Sequence, residues 1–261
     1  MVSLILALLL ALAPQAATPP ATAPAAQDAP IPVIPVTVVA RHPHDRAAFT
    51  QGLVWHDGTL FESVGREGTS EVRRVDLATG RVTRRAPLPP MQFGEGLAVW
   101  RDELISLTWH DGIAYRWAAR TLKRLGTFRY PGEGWGLAGD GTNLVLSDGT
   151  STLRVLDPAT FTERRRIAVT LRGQPLDQLN ELEVVGGQLL ANIWHTPYLA
   201  RIDLTSGKVT AIIDLRPLVA EIAATDPEAV ANGIAWDPAK RRLFVTGKLW
   251  PTLYEVTLPA G

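Results

Sequence analysis

Cysteine is absent from all 261 residues. That absence excludes disulfides, thiolate metal sites, a cysteine nucleophile and a lipid anchor on cysteine together. An excess of either charge is missing too, because 26 basic residues balance 26 acidic ones. Nucleic acids and anionic membrane surfaces are held through a basic face, so neither is an expected partner. The runs Arg73-Arg74, Arg84-Arg85 and Arg164-Arg165-Arg166 are read instead as solvated outer-strand residues. A long apolar run is also lacking, since Leu4 to Leu12 is too short for a spanning helix of ~20 residues. Followed by the small residues Ala13 to Ala26, it reads as a signal peptide or N-terminal tether over residues 1–26. The chain is therefore expected in the periplasm or secreted, with no membrane association beyond such a tether. Residues 27–35, rich in Ala and Pro, bury too little apolar surface to fold and are read as a linker.

What is present is a full core's worth of apolar side chains, 46% of the chain, and an internal repeat. Five related slots open predicted strands: Gln51-Gly52-Leu53, Glu95-Gly96-Leu97, Trp135-Gly136-Leu137, Asn180-Glu181-Leu182 and Asn232-Gly233-Ile234. They are 44, 40, 45 and 52 residues apart. Each begins a run of short strands joined by tight turns, such as Asp57-Gly58 and Thr79-Gly80 in the first unit. Repeats of ~45 residues with four strands predict an all-β, five-bladed β-propeller over residues 36–261, with four-stranded antiparallel blades. The fifth unit yields only three strands. The β-branched stretch Val36 to Ala40, which precedes the first unit, is expected to complete that last blade and close the ring. Arg216 to Ala224 is expected as one or two helical turns in an insertion that accounts for the spacing of 52.

The slot residues are the candidate site. Glu95 stands between two glycines, and on residues alone a turn carboxylate bonding backbone amides is the commoner reading. Trp55, Trp100, Trp117 and Trp236 read as core filling, the usual use of tryptophan in β repeats. Trp109 and Trp194 differ, because each falls just past its blade's second strand, where loop begins. The pairs Trp109-His110 and Trp194-His195, with His42 and His44, do not make the cluster of three or four ligands that zinc needs. No nucleophile-elbow motif supports Ser-His-Asp catalysis. Because one fold hosts many functions, a propeller that only binds a peptide or glycan stays open. So does a calcium-dependent propeller lactonase, for which Gln51, Glu95, Asn180 and Asn232 would be axial ligands.

Eight motifs in order narrow the choice: Phe49-Thr50-Gln51-Gly52-Leu53, Phe93-Gly94-Glu95-Gly96-Leu97, Leu107-Thr108-Trp109, Gly134-Trp135-Gly136-Leu137, Leu179-Asn180-Glu181-Leu182-Glu183, Asn192-Ile193-Trp194, Asn232-Gly233-Ile234-Ala235-Trp236 and Val245-Thr246-Gly247-Lys248-Leu249-Trp250-Pro251. In these the chain resembles the glutamine cyclotransferase family of the plant and bacterial type, from about Val36 to its end. The resemblance implies a five-bladed propeller that cyclises the N-terminal glutamine of a peptide or protein to pyroglutamate with release of ammonia, and the chain is expected to act as a monomer. It places the family's essential carboxylate on Glu95. Its active-site glutamine falls on Gln51, its tryptophans on Trp109, Trp135 and Trp194, its asparagine on Asn180 and its lysine on Lys248. It implies no catalytic cofactor and admits a structural calcium at the hub, with no ligands assigned. Any family disulfide is missing here, which bears on stability rather than chemistry.

The implied reaction asks for a neutral α-amine and a proton for the departing ammonia. A single glutamate serves both needs if apolar neighbours raise its pKa toward the working pH. The oxyanion formed on the way wants fixed donors, for which Asn180, Gln51 and Lys248 are the candidates.

Overall fold

The structure, a computed structural model, describes residues 30–259. The expected signal peptide or tether over residues 1–26 lies outside the described residues. The described chain opens with strands β1 (Val33–Pro35) and β2 (Thr37–Pro43). The first blade follows as β3 (Thr50–His56), β4 (Thr59–Val64), β5 (Glu71–Val75) and β6 (Val82–Pro87). The second contains β7 (Gly94–Trp100), β8 (Glu103–Thr108), β9 (Ile113–Ala118) and β10 (Arg124–Arg129). In the third are β11 (Gly136–Gly139), β12 (Leu144–Ser147), β13 (Thr152–Leu156) and β14 (Glu163–Ala168), trailed by the small hairpin of β15 (Thr170–Leu171) and β16 (Gln174–Pro175). The fourth has β17 (Leu179–Val185), β18 (Gln188–Ile193), β19 (Tyr198–Ile202) and β20 (Val209–Asp214). After helix α1 (Arg216–Ile222), which carries Pro217 in its first turn and buries Leu218, come β21 (Ala231–Asp237), β22 (Arg242–Gly247) and β23 (Thr252–Thr257) of the fifth.

The turns follow from local chemistry. Asp57 and Gly58 both take positive φ, 46° and 73°, the geometry of a two-residue hairpin whose twist matches its strands. Asp76, Asp157 and Asp203 each bend a loop by accepting backbone amides two or three residues ahead.

Neighbouring blades pack through β3, β7, β11, β17 and β21, which touch in sequence and return from β21 to β3. Five apolar clusters fill the gaps between neighbouring blades, one per gap. Alternation along a strand explains this: Leu53 faces the fifth blade while Val54 faces the second. An inner strand thus buries both faces, which is why its sequence is apolar almost without interruption.

The ring closes as expected. Strand β2 pairs antiparallel with β23, from Thr37 opposite Thr257 to Pro43 opposite Thr252. A buried polar network reinforces this junction. His44 bonds the Trp250 carbonyl oxygen at 2.7 Å through Nδ1 and Glu62 Oε1 at 3.0 Å through Nε2, while Arg73 Nε donates to Glu62 Oε2 at 2.9 Å. His44 and Arg73 together hold the fully buried Glu62 carboxyl down at about 2, against the burial that would raise it.

Two sequence readings need correction. Arg73, expected in solvent with Arg74, is only 3% exposed, because Glu62 and Asp45 draw its guanidinium inward as their counter-ion. The linker expected over residues 27–35 ends in the fold. Val33 to Pro35 form β1, parallel to β20, and extend the fourth blade to five strands. An edge strand needs no amide on its outer side, so prolines do not prevent this. No helix among the described residues is long and apolar enough to cross a membrane.

Candidate active site

The slots meet where the inner strands begin, at one mouth of the central channel. In β3, β7, β17 and β21 the register shifts at the slot, so a β-bulge recurs at Gln51, at Glu95-Gly96, at Asn180-Glu181 and at Asn232-Gly233. A bulge re-aims a side chain that regular pleating would bury between blades. The second slot position lies close to the next blade: a Cβ on Gly52 would come 2.4 Å from the Leu97 nitrogen, and one on Gly136 would come 2.0 Å from the Asn180 oxygen. Glu181 occupies this position in the fourth blade, 1% exposed. Its two oxygens accept the Leu53 amide at 3.1 Å and the Ile234 amide at 2.9 Å, so its side chain crosses the axis to the first blade.

Above it is a cavity of about 300 Å³. All seven sequence-predicted site residues line it: Gln51, Glu95, Trp109, Trp135, Asn180, Trp194 and Lys248. Glu95 is 5% exposed and accepts Gln51 Nε2 on Oε1 at 3.0 Å. The Gln51 amide is itself oriented, because Asn232 Nδ2 donates to Gln51 Oε1 at 3.2 Å and to the Thr50 oxygen at 2.9 Å. Burial raises the Glu95 carboxyl well above the ordinary carboxylate range; Lys248 opposes that shift and Glu133 adds to it. Lys248, 4% exposed, is lowered by burial against the pull of Glu95 and Glu228, and its Nζ lies 4.6 Å from the Phe49 ring centre. Asn180 is buried with its backbone oxygen held by Ser147 Oγ at 2.6 Å, while its Oδ1 has no partner.

The tryptophans form a joined wall. Trp109 has the His110 ring stacked on it at 3.8 Å and Phe93 edge-on at 5.7 Å. Trp135 meets Trp194 edge-on at 5.4 Å. Both Trp109 Nε1 and Trp135 Nε1 donate to Glu133 Oε2, each at 2.8 Å. Burial would raise Glu133, but these two bonds and His110 outweigh it and hold the carboxyl below its usual range.

Phe49, Phe93, Arg66 and Glu228 also line the cavity, and sequence reasoning gave none of them a role. Phe49 and Phe93 stood in the repeated motifs two residues before Gln51 and Glu95, a signal that was there to be used. Arg66 and Glu228 are exposed rim residues on loops without a repeat partner. Trp100 and Trp117 pack in apolar clusters, as expected of core tryptophans.

No carboxylate or histidine cluster that would hold a metal ion is found among the described residues, and Glu181 uses both oxygens on backbone amides. Calcium takes six to eight oxygen ligands, usually with several carboxylates among them.

Comparison with known proteins agrees with this geometry. The family model for glutamine cyclotransferase matches residues 6–258. A glutaminyl-peptide cyclotransferase of Arabidopsis thaliana is 41% identical over 227 residues, which is 85% of this chain and 71% of that protein. The crystal structure of Myxococcus xanthus glutaminyl cyclase superposes with a TM-score of 0.83 at 41% identity, covering 87% of this chain and 98% of that one.

Proposed function

The chain belongs to the glutamine cyclotransferase family, and from that premise we propose that it closes the N-terminal glutamine of a peptide into pyroglutamate with Glu95 as the proton carrier. The observation that supports this role is the burial of Glu95 at the floor of a tryptophan-walled cavity, its carboxyl raised toward the pH at which a group can both take and give a proton. The α-nitrogen attacks the side-chain carbonyl carbon and a C–N bond forms. Glu95 takes the proton that the α-nitrogen loses and passes it to the side-chain nitrogen, which leaves as ammonia when its C–N bond breaks. Glu95 is returned to its starting state, and the product is the five-membered lactam.

One N–H of Gln51 is occupied by Glu95. The Nδ2 amide of Asn180 and the Lys248 ammonium, both lining the cavity, are then the donors for the oxyanion. The indoles of Trp109, Trp135 and Trp194 shelter the aliphatic part of the glutamine and keep the local dielectric low, which strengthens these polar contacts.

The test is ammonia release from a Gln-initiated peptide, followed with its mass change, in the presence and absence of EDTA. Turnover that EDTA leaves untouched supports the reading, and no turnover on any Gln-initiated peptide defeats it. Export as a monomer belongs to the same proposal. The apolar run Leu4 to Leu12 followed by small residues supports export, and N-terminal sequencing of the protein from the periplasm or medium would check it.

A further inference from the structure

Glu133 has no part in the proton path described above, yet its carboxylate touches two walls of the cavity at once. Trp109 belongs to the second blade and Trp135 opens the third, and both indole N–H groups converge on Glu133 Oε2 at 2.8 Å. The other oxygen of Glu133 is 3.5 Å from His110 Nδ1, and His110 stacks on Trp109. The turn that carries Glu133 is fastened to the same wall, because the Gly134 amide donates to the Trp109 carbonyl oxygen at 3.1 Å. Trp135 continues the chain of contacts to Trp194 in the fourth blade.

We propose that Glu133 is a positioning residue, a two-handed clamp that sets the angle of Trp109 and Trp135 and so the shape of the slot that receives the substrate's N-terminal side chain. The inference rests on the cyclotransferase reading of the cavity. An indole has one N–H and two nearly equivalent ways to fill a flat space; a fixed acceptor at its edge selects one of them. A single carboxylate oxygen serving both indoles ties the two choices together. At 42% side-chain exposure Glu133 contributes little to a core, and a role in stability alone would leave the substrate indifferent to its loss.

Three variants separate the possibilities. Glu133→Ala removes the shared acceptor, Glu133→Gln keeps an oxygen at the same place without the charge, and Glu133→Asp withdraws it by one methylene. Misplaced walls typically cost tenfold or more, so Glu133→Ala is expected to lower kcat/KM roughly tenfold, chiefly through KM. Glu133→Asp should behave like Ala, and Glu133→Gln should recover most of the loss, with all melting temperatures close together. In the ligand-free protein, the ¹⁵N–¹H signals of the Trp109 and Trp135 indoles should both move in Glu133→Ala and return toward their original positions in Glu133→Gln. Unmoved indole signals, a Glu133→Ala enzyme within twofold of the original, or a Glu133→Gln enzyme as poor as Glu133→Ala would each overturn the clamp. If the unsubstituted protein releases no ammonia, the reaction assignment falls, and the indole signals alone then decide for or against the clamp.

Discussion

Glu95 and Lys248 line one buried cavity with opposite formal charges, yet no oxygen and nitrogen of the two come within the 4.0 Å of a salt bridge. Burial pushes each toward its neutral form, Glu95 upward and Lys248 downward, while each partly restrains the other. In the proposed reaction the substrate amide lies in the gap between them, with the proton carrier on one side and the Lys248 side chain on the other.

Glu95→Gln keeps the shape and removes the titrating group. Turnover should fall by roughly 10²–10⁴, the usual contribution of a general acid/base, with the melting temperature at neutral pH little changed. Ammonia release and a thermal melt measure both. A variant that keeps more than about a tenth of the original rate, a deficit under ~1.4 kcal/mol, would remove Glu95 from the proton path.

Selectivity for glutamine over glutamate follows from the same cavity. An N-terminal glutamate brings a second carboxylate toward Glu95, and two like charges in a desolvated site do not both ionise readily. Glutamate turnover should therefore appear only as pH falls and the substrate acid is protonated. Lys248→Met, by removing a buried nearby amine that could neutralise it, should widen the preference for glutamine. Mass spectrometry of paired Gln- and Glu-initiated peptides from acid to neutral pH gives the ratio, and equal rates at neutral pH would contradict the account.

Glu183 carries a pH signature outside the cavity. It accepts the Trp236 amide at 3.1 Å, and burial lifts its carboxyl from 4.5 to about 8. An acid raised on folding binds its proton more tightly in the native chain, so its contribution is intact below about 4.5 and is lost as pH climbs through 8. Glu183→Gln keeps an acceptor for Trp236 and cannot ionise. The variant should gain melting temperature over the original protein between pH 5 and pH 9, at about 2–4 °C per kcal/mol for a chain of this size. Parallel curves for the two proteins across that range would refute the assignment.

Truncation separates the two leading strands. A chain beginning at Val36 loses only β1, an added edge strand, and should fold and stay monomeric with a modestly lower melting temperature. A chain beginning at His44 also loses β2 and exposes β23, and unpaired edges favour aggregation. Light scattering and melting of both chains test this; identical behaviour would mean that β2 is not the closing strand.

The ring was legible in the sequence because its determinants are local. Five slots at near-constant spacing, hairpin turns such as Asp57-Gly58 and a leftover strand at the start are enough to set blade number and closure. The membership of the cavity came from the resemblance to the glutamine cyclotransferase family, which placed Gln51, Glu95, Trp135 and Asn180 at the slots and Trp109, Trp194 and Lys248 outside them. What stayed hidden depends on atoms far apart in the chain. Glu133 lies in Gly132-Glu133-Gly134 and looks like any acidic turn residue until two indoles arrive from different blades. Arg73 looks like its neighbour Arg74 until Glu62 of the adjoining strand is seen beneath it. The bulges that turn Gln51, Glu95 and Asn180 into the cavity have no composition of their own.

Closure by β2 also sets a timetable for synthesis. The first four blades each take their four main strands from one continuous stretch, so they can assemble in the order in which the chain is made. The fifth cannot, because Thr37 must wait for Thr257, its partner across the closing strands. Joining the ends of so long a loop carries an entropic cost that rises with the logarithm of its length and is met only once the flanking blades have drawn the ends together. A ribosome that still holds Thr252 to Thr257 therefore holds an open ring, which closes only once that strand has emerged.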